Sequence, residues 1–146
     1  MKNMLLGIKI FFLIEVLFLS ISSVNAGTVE EYYQTGNYYY DQDNFTQAIF
    51  YYTQAIKIDP KHSSAYFNRG FAYYYQDNFT QAISDFTKAI EINPKNSDAY
   101  NNRGLAYCRV KEHDKAWIDV HKIEKLGGVV EPGFLKMLKK VSGRDR

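Results

Sequence analysis

The amino-acid sequence predicts an all-α fold made by stacking similar hairpins of helices, and three observations carry that expectation. The first is repetition. The string DNFTQAI at residues 43–49 returns unchanged at 77–83, a shift of 34 positions, and the likeness extends to 36–60 over 70–94 and to 64–73 over 98–107. A fixed period of this length marks a stacked architecture, in which each unit is too small to cover its own apolar face. The second is helical spacing within a unit. Tyr66, Gly70 and Tyr73 fall at i, i+4 and i+7, and Ala82, Ile83, Phe86, Ala89 and Ile90 at i, i+1, i+4, i+7 and i+8, so each set forms one stripe on a helix. The third is punctuation. Gln76 to Phe79 separates the two stripes, and Asn93-Pro94 ends the second, because proline pushes the residue before it out of the α region.

In chain order, residues 1–26 stand apart. Lys2 and Lys9 give a basic start, residues 10–21 an apolar run, and Val24 to Ala26 small residues before Gly27. This is the layout of a secretory signal peptide cleaved after Ala26. The alternative is an uncleaved helix anchoring the chain in a membrane. Against it, Glu15 interrupts a run shorter than the roughly 20 residues a span needs. The expected location is therefore periplasmic or secreted, with membrane contact only if the segment stays uncleaved.

The remaining 120 residues, 146 less 26, have room for one domain, and 46% hydrophobic with 23% charged residues is globular usage. A glycine recurs once in the first helix of each unit: Gly36, Gly70 and Gly104. Glycine within a helix costs about 1 kcal/mol relative to alanine, so a close helix approach is expected there to offset it. Ala48, Ala82 and Ala116 recur at the same period and are expected to supply the small surface opposite. A second aromatic stripe, Phe67, Phe71 and Tyr74, is then left for a neighbour or a ligand. Residues 131–143 form one further helix, with Phe134, Leu135 and Leu138 inward and Lys136, Lys139 and Lys140 outward, as the end of a stack requires.

These positions resemble the tetratricopeptide repeat, whose 34-residue pattern asks for an aromatic, a small residue, Tyr, Ala, an aromatic, Ala and Pro. Unit 63–96 supplies Tyr66, Gly70, Tyr73, Ala82, Phe86, Ala89 and Pro94; unit 29–62 supplies Tyr32, Gly36, Tyr39, Ala48, Tyr52, Ala55 and Pro60. Unit 97–130 begins with Tyr100, Gly104, Tyr107 and Ala116, then departs at Val120, Ile123 and Gly128, so a different packing of its second helix is expected. The resemblance implies a right-handed superhelical stack of three hairpins, 29–62, 63–96 and 97–130, followed by a capping helix and basic tail over 131–146. It also implies that the first helices line a concave groove for an extended peptide or a partner helix. The groove positions are Tyr33, Asn37 and Tyr40, then Phe67, Asn68, Phe71 and Tyr74, then Asn102 and Arg109. Asn68 and Asn102 sit where some members hydrogen-bond a peptide backbone, for which an amide offers both donor and acceptor. The family's clamp for a C-terminal carboxylate is incomplete: Asn37 matches, but Tyr33 and Asp98 stand where lysines are expected.

No catalytic constellation appears. His62, His113 and His121 have no Cys or carboxylate at metal-ligand spacing, a phosphate loop and a nucleophile motif are missing, and Glu30 and Glu31 fit a helix start. The expectation is a non-enzyme without metal or cofactor. Cys108 is the only cysteine, so internal disulfides are excluded and a small buried hydrophobe is expected. Residues 27–100 carry 5 basic and 9 acidic side chains, net −4, and residues 101–146 carry 11 and 6, net +5. The basic end is read as a solvated face rather than a nucleic-acid surface. The implied partner is a protein, with self-association through repeat faces left open at residues 29–44 as the alternative. The two NFT strings, at Asn44 and Asn78, are glycosylation acceptors in a eukaryotic secretory pathway and helix caps otherwise.

Overall fold

The computed structural model describes residues 27–144, so the signal-peptide reading of residues 1–26 lies outside the described residues. Every regular element described is helical: α1 (Val29–Asp41), α2 (Phe45–Ile58), α3 (Ser63–Tyr75), α4 (Phe79–Ile92), α5 (Ser97–Arg109), α6 (His113–Lys125) and α7 (Pro132–Ser142). They pack as three consecutive hairpins, α1 on α2, α3 on α4 and α5 on α6. The second helix of each hairpin meets the first helix of the next, and α7 lies against α5 and α6.

The repeated turn has a local cause. Asp43 and Asp77 take left-handed φ of 55° and 57°, which Asp tolerates better than most residues, and Lys111 does the same at 64° in the third hairpin. The next amide bonds back five residues: Asn44 to the Tyr39 carbonyl, Asn78 to Tyr73 and Glu112 to Tyr107, each at 2.9 Å. This closes a Schellman end on the first helix. The side chains of Asn44 and Asn78 then accept from the amides of Gln47 and Gln81 and start the second helix. Pro60 and Pro94 follow helices whose last residues, Asp59 and Asn93, lie outside the α region.

Packing corrects one expectation. The surface opposite Gly36 and Gly70 is an aromatic ring, not an alanine. A Cβ on Gly36 would lie 2.5 Å from the Tyr52 ring, and one on Gly70 would lie 2.9 Å from Phe86. Ala48 instead shares a buried cluster with Tyr52 and with Ala72 of the following hairpin, and Ala55 with Ile56 and Ala65. The alanines therefore serve the seam between hairpins, and the glycines serve the crossing within one.

The third hairpin shows how its departures are accommodated. Val120 occupies the place of Tyr52 and Phe86 and is too short to cover Gly104. Phe134 of α7 comes in instead, and a Cβ on Gly104 would collide with its ring. Phe134 and Leu138 are buried with Trp117, Val120 and Cys108. The last helix is thus part of the third hairpin's core as well as its lid. α6 ends at Lys125, and the turn after it passes through Gly127 at φ 73°.

Each internal hairpin is also keyed by a buried ion pair. Arg69 makes a bidentate contact with Asp85 at 2.7 and 2.8 Å, and Nη1 donates to Thr53 of the preceding hairpin at 2.9 Å. Arg103 repeats this with Asp119 at 3.0 and 2.6 Å and with Thr87 at 3.1 Å. Tyr66 and Tyr73 flank the first guanidinium, and Tyr100 and Tyr107 the second. Burial raises the Asp85 and Asp119 carboxyls above their ordinary range, while the facing guanidinium opposes the shift. In the first hairpin these positions are Thr35 and Tyr51, and no described hairpin precedes to be keyed.

Candidate functional site

The first helices α1, α3 and α5 lie side by side, and the face they form carries two adjoining hollows that share Phe71. The hollow nearer the N-terminus is about 480 Å³ and is lined by Gln34, Asn37, Tyr40, Asp41, Tyr52 and Asn68 besides Phe71. The other, about 330 Å³, is lined by Phe67, Asp98, Asn101, Asn102, Leu105 and Glu131 besides Phe71.

The floor of the first hollow is a polar cluster spanning two hairpins. Asn68 Nδ2 donates to Tyr33 Oη at 3.1 Å and to Asn37 Oδ1 at 2.9 Å, and the Tyr52 hydroxyl donates to the same Asn37 oxygen at 2.9 Å. Burial raises the Tyr52 and Tyr40 phenols, and Asp41 adds to both shifts, so the two remain neutral hydrogen-bonding groups. Asn68 is therefore held by the scaffold as well as presented by it. Asn68 is half-buried, and an amide withdrawn in part from water needs the partners that Tyr33 and Asn37 supply.

The second hollow is more apolar. Phe67 and Phe71 meet edge to face at 4.9 Å, and both pack on the buried Phe86, at 5.8 and 5.6 Å between centroids. These rings are half-buried, so they fill the hairpin and still present edges outward. Asn102 Nδ2 donates to its own helix at the Asp98 carbonyl, 2.7 Å away, and its Oδ1 has no partner among the described residues. Asn101 has the opposite fate. It is buried, donates to the Val129 carbonyl at 3.5 Å and accepts from the Glu131 amide at 3.1 Å, fixing the approach to α7.

Two of the sequence-derived groove residues sit elsewhere. Tyr74 contacts Phe79 and Tyr75, and Arg109 lies over Phe79 at 4.7 Å and pairs with Asp77 at 3.2 Å, so neither lines a hollow. Both belong to the edge by the interhelix turn, where Tyr75 stacks on Phe45 in the preceding unit. The keyed Arg–Asp–Thr sets were not singled out from the sequence, although their signal was present. Arg69 and Arg103, Asp85 and Asp119, and Thr53 and Thr87 each recur at 34 residues.

Charge on the face is one-sided. Asp41, Asp98 and Glu131 line the hollows, and no Lys or Arg does. No three of His, Cys, Asp and Glu among the described residues are grouped to hold a metal ion, and no described helix is long and apolar enough to cross a membrane.

Models of the tetratricopeptide repeat match residues 63–96 and 86–118, and a model of the TPR repeat matches 36–77. Among solved structures, the first TPR of Spaghetti (RPAP3) bound to HSP90 peptide SRMEEVD is 27% identical with a TM-score of 0.73. The alignment covers 80% of this chain and 91% of that one. The Arabidopsis OM64 TPR domain is 28% identical with a TM-score of 0.71, over 80% and 95%. The TPR2B-domain:pHsp70-complex of yeast Sti1 is 28% identical with a TM-score of 0.70, over 79% and 96%. No curated protein matches the chain.

Proposed function

Since the chain belongs to the tetratricopeptide repeat family, we propose that it is a non-catalytic interaction scaffold whose concave face holds an extended segment of a partner protein. The observation that carries this reading is the pair of adjoining hollows on α1, α3 and α5, which offer ring edges at Phe67 and Phe71 beside amides at Asn37, Asn68 and Asn102. Such a mixture suits an extended chain, whose side chains seat against rings while its backbone needs alternating donors and acceptors. Similar TPR domains from other proteins are complexed with an HSP90 peptide or with pHsp70. This chain differs from an anion clamp in having Tyr33 and Asp98 at clamp positions, so the segment is read here as internal rather than gripped by a terminal carboxylate.

We place this work outside the cytoplasm, in a cell envelope or secreted, because of the sequence of residues 1–26. The exported protein should begin at Gly27 by mass spectrometry; an intact Met1 would leave the anchored alternative. The interaction reading is tested by a photo-crosslinking residue at Leu105 or, in a separate protein, at Tyr38. Crosslinks to a partner segment are expected from Leu105, and capture from Tyr38 alone refutes the groove.

One observation favours a second reading. Tyr38 and Phe50 are 62% and 53% exposed, and Tyr39 and Tyr51 stack between them at 5.2 Å, giving an open aromatic ladder on the first hairpin. A second copy could cover it. Sedimentation of the mature chain discriminates: a monomer at high concentration removes self-assembly as the main role.

A further inference from the structure

The proposed groove has a chemical preference written into its borders. Asp41 stands in the last turn of α1, where the helix end is itself negative and no basic residue offsets it. Asp98 lines the second hollow beside Glu131. The carboxylate of neither Asp41 nor Asp98 forms an ion pair or accepts a hydrogen bond among the described residues. The Glu131 carboxylate is partly answered by the amides of Gly133 and Phe134.

The arginines of the helices that form this face are paired elsewhere. Arg69 and Arg103 are held by Asp85 and Asp119, and Arg109 by Asp77. Lys136 and Lys140 are exposed on α7 and line neither hollow. The surface of the hollows is therefore aromatic and amide in its middle and anionic at its rims. An acidic segment laid along it would meet like charge without a compensating cation, and like-charge contact at an interface is strongly disfavoured.

We propose that the segment bound here is cationic: an extended stretch carrying Lys or Arg next to an aromatic or aliphatic side chain. The apolar side chain seats against Phe67, Phe71 and Leu105, and the cation reaches the carboxylate of Asp98 or Asp41. This rests on the groove reading above and adds to it the sign of the partner's charge.

The test is selection of random 12-residue peptides displayed on phage against the mature chain, followed by titration of the recovered peptides with the parent, Asp98→Asn, Asp98→Lys and Phe71→Ala. Recovered peptides should be enriched in Lys and Arg and depleted in Asp and Glu. Their affinity should fall by up to about fivefold in Asp98→Asn, the scale of one solvent-exposed ion pair, and further in Asp98→Lys. It should also weaken as salt rises from 0.05 to 0.5 M, because the screening length shortens by about threefold. Acidic or uncharged peptides that lose binding in Phe71→Ala overturn the charge inference and leave the groove standing. Peptides indifferent to Phe71→Ala, or no enrichment at all, overturn both.

Discussion

Replacing Gly36 by Ala would ordinarily stabilise a helix by about 1 kcal/mol, because alanine is the better helix former. Here the opposite is expected. The new methyl would lie 2.5 and 2.6 Å from two carbons of the Tyr52 ring, well inside contact distance, and Tyr52 is fully buried. The ring cannot swing away without loosening Ala48 and Ala72 beneath it or breaking its hydrogen bond to Asn37, which also holds Asn68. Overpacking costs about 1–3 kcal/mol and the lost hydrogen bond about 1 kcal/mol more, against the 1 kcal/mol gained, so a net loss of about 2 kcal/mol is predicted. For a domain of this size that is a fall in Tm of about 8 °C, measurable by circular dichroism. The same substitution in a Tyr52→Leu background, which removes part of the ring's bulk, should cost at least about 1 kcal/mol less, as residues in contact couple. A Gly36→Ala protein more stable than the parent would refute the reasoning about the helix crossing.

The remaining predictions address the keys, the last helix and the thiol. Arg103→Met strands the buried Asp119 carboxylate and should cost about 3–5 kcal/mol in urea unfolding, while Arg103→Met with Asp119→Leu should recover most of it; equal losses would show that the pair is not the cause. Phe134→Ala should cost about 3–5 kcal/mol, and adding Val120→Phe, which puts an aromatic where the other hairpins have one, should restore part of that stability; no gain would show that the two residues do not share one space. Burial pushes the Cys108 thiol up to about 11, so it should resist alkylation at pH 8 until the chain is unfolded, and prompt labelling of the folded protein would contradict its burial. Because the folded value lies above the ordinary 9.0, the thiol's contribution to stability is full below about pH 9 and is lost as pH rises towards 11.

Much of this structure was legible because periodicity reports on the neighbour as well as on the residue. Positions that recur every 34 residues meet the same kind of surface in the first two hairpins, so the helices, their turns and the glycine crossings could be read from spacing. The identity of the opposing surface could not, since Ala48 and Tyr52 lie one helical turn apart and spacing alone does not say which of them meets Gly36. The substitution of Phe134 for a missing ring at Val120 was illegible for a different reason: the two lie in different helices and outside the repeat period. In the groove, Asn37, Tyr40, Phe67, Asn68, Phe71 and Asn102 line the hollows and Tyr33 lies hydrogen-bonded beneath them, whereas Tyr74 and Arg109 belong to the turn edge.

The central claim is that an extended segment lies along the face shared by α1, α3 and α5. Amide chemical-shift mapping of the mature chain during titration with a selected peptide tests it most directly. Shifts concentrated at Asn37, at Asn68 to Phe71 and at Asn102 to Leu105, with Tyr38 and Phe50 unmoved, are predicted. Shifts confined to Tyr38, Phe50 and their neighbours, with Phe71 and Asn102 silent, would contradict it.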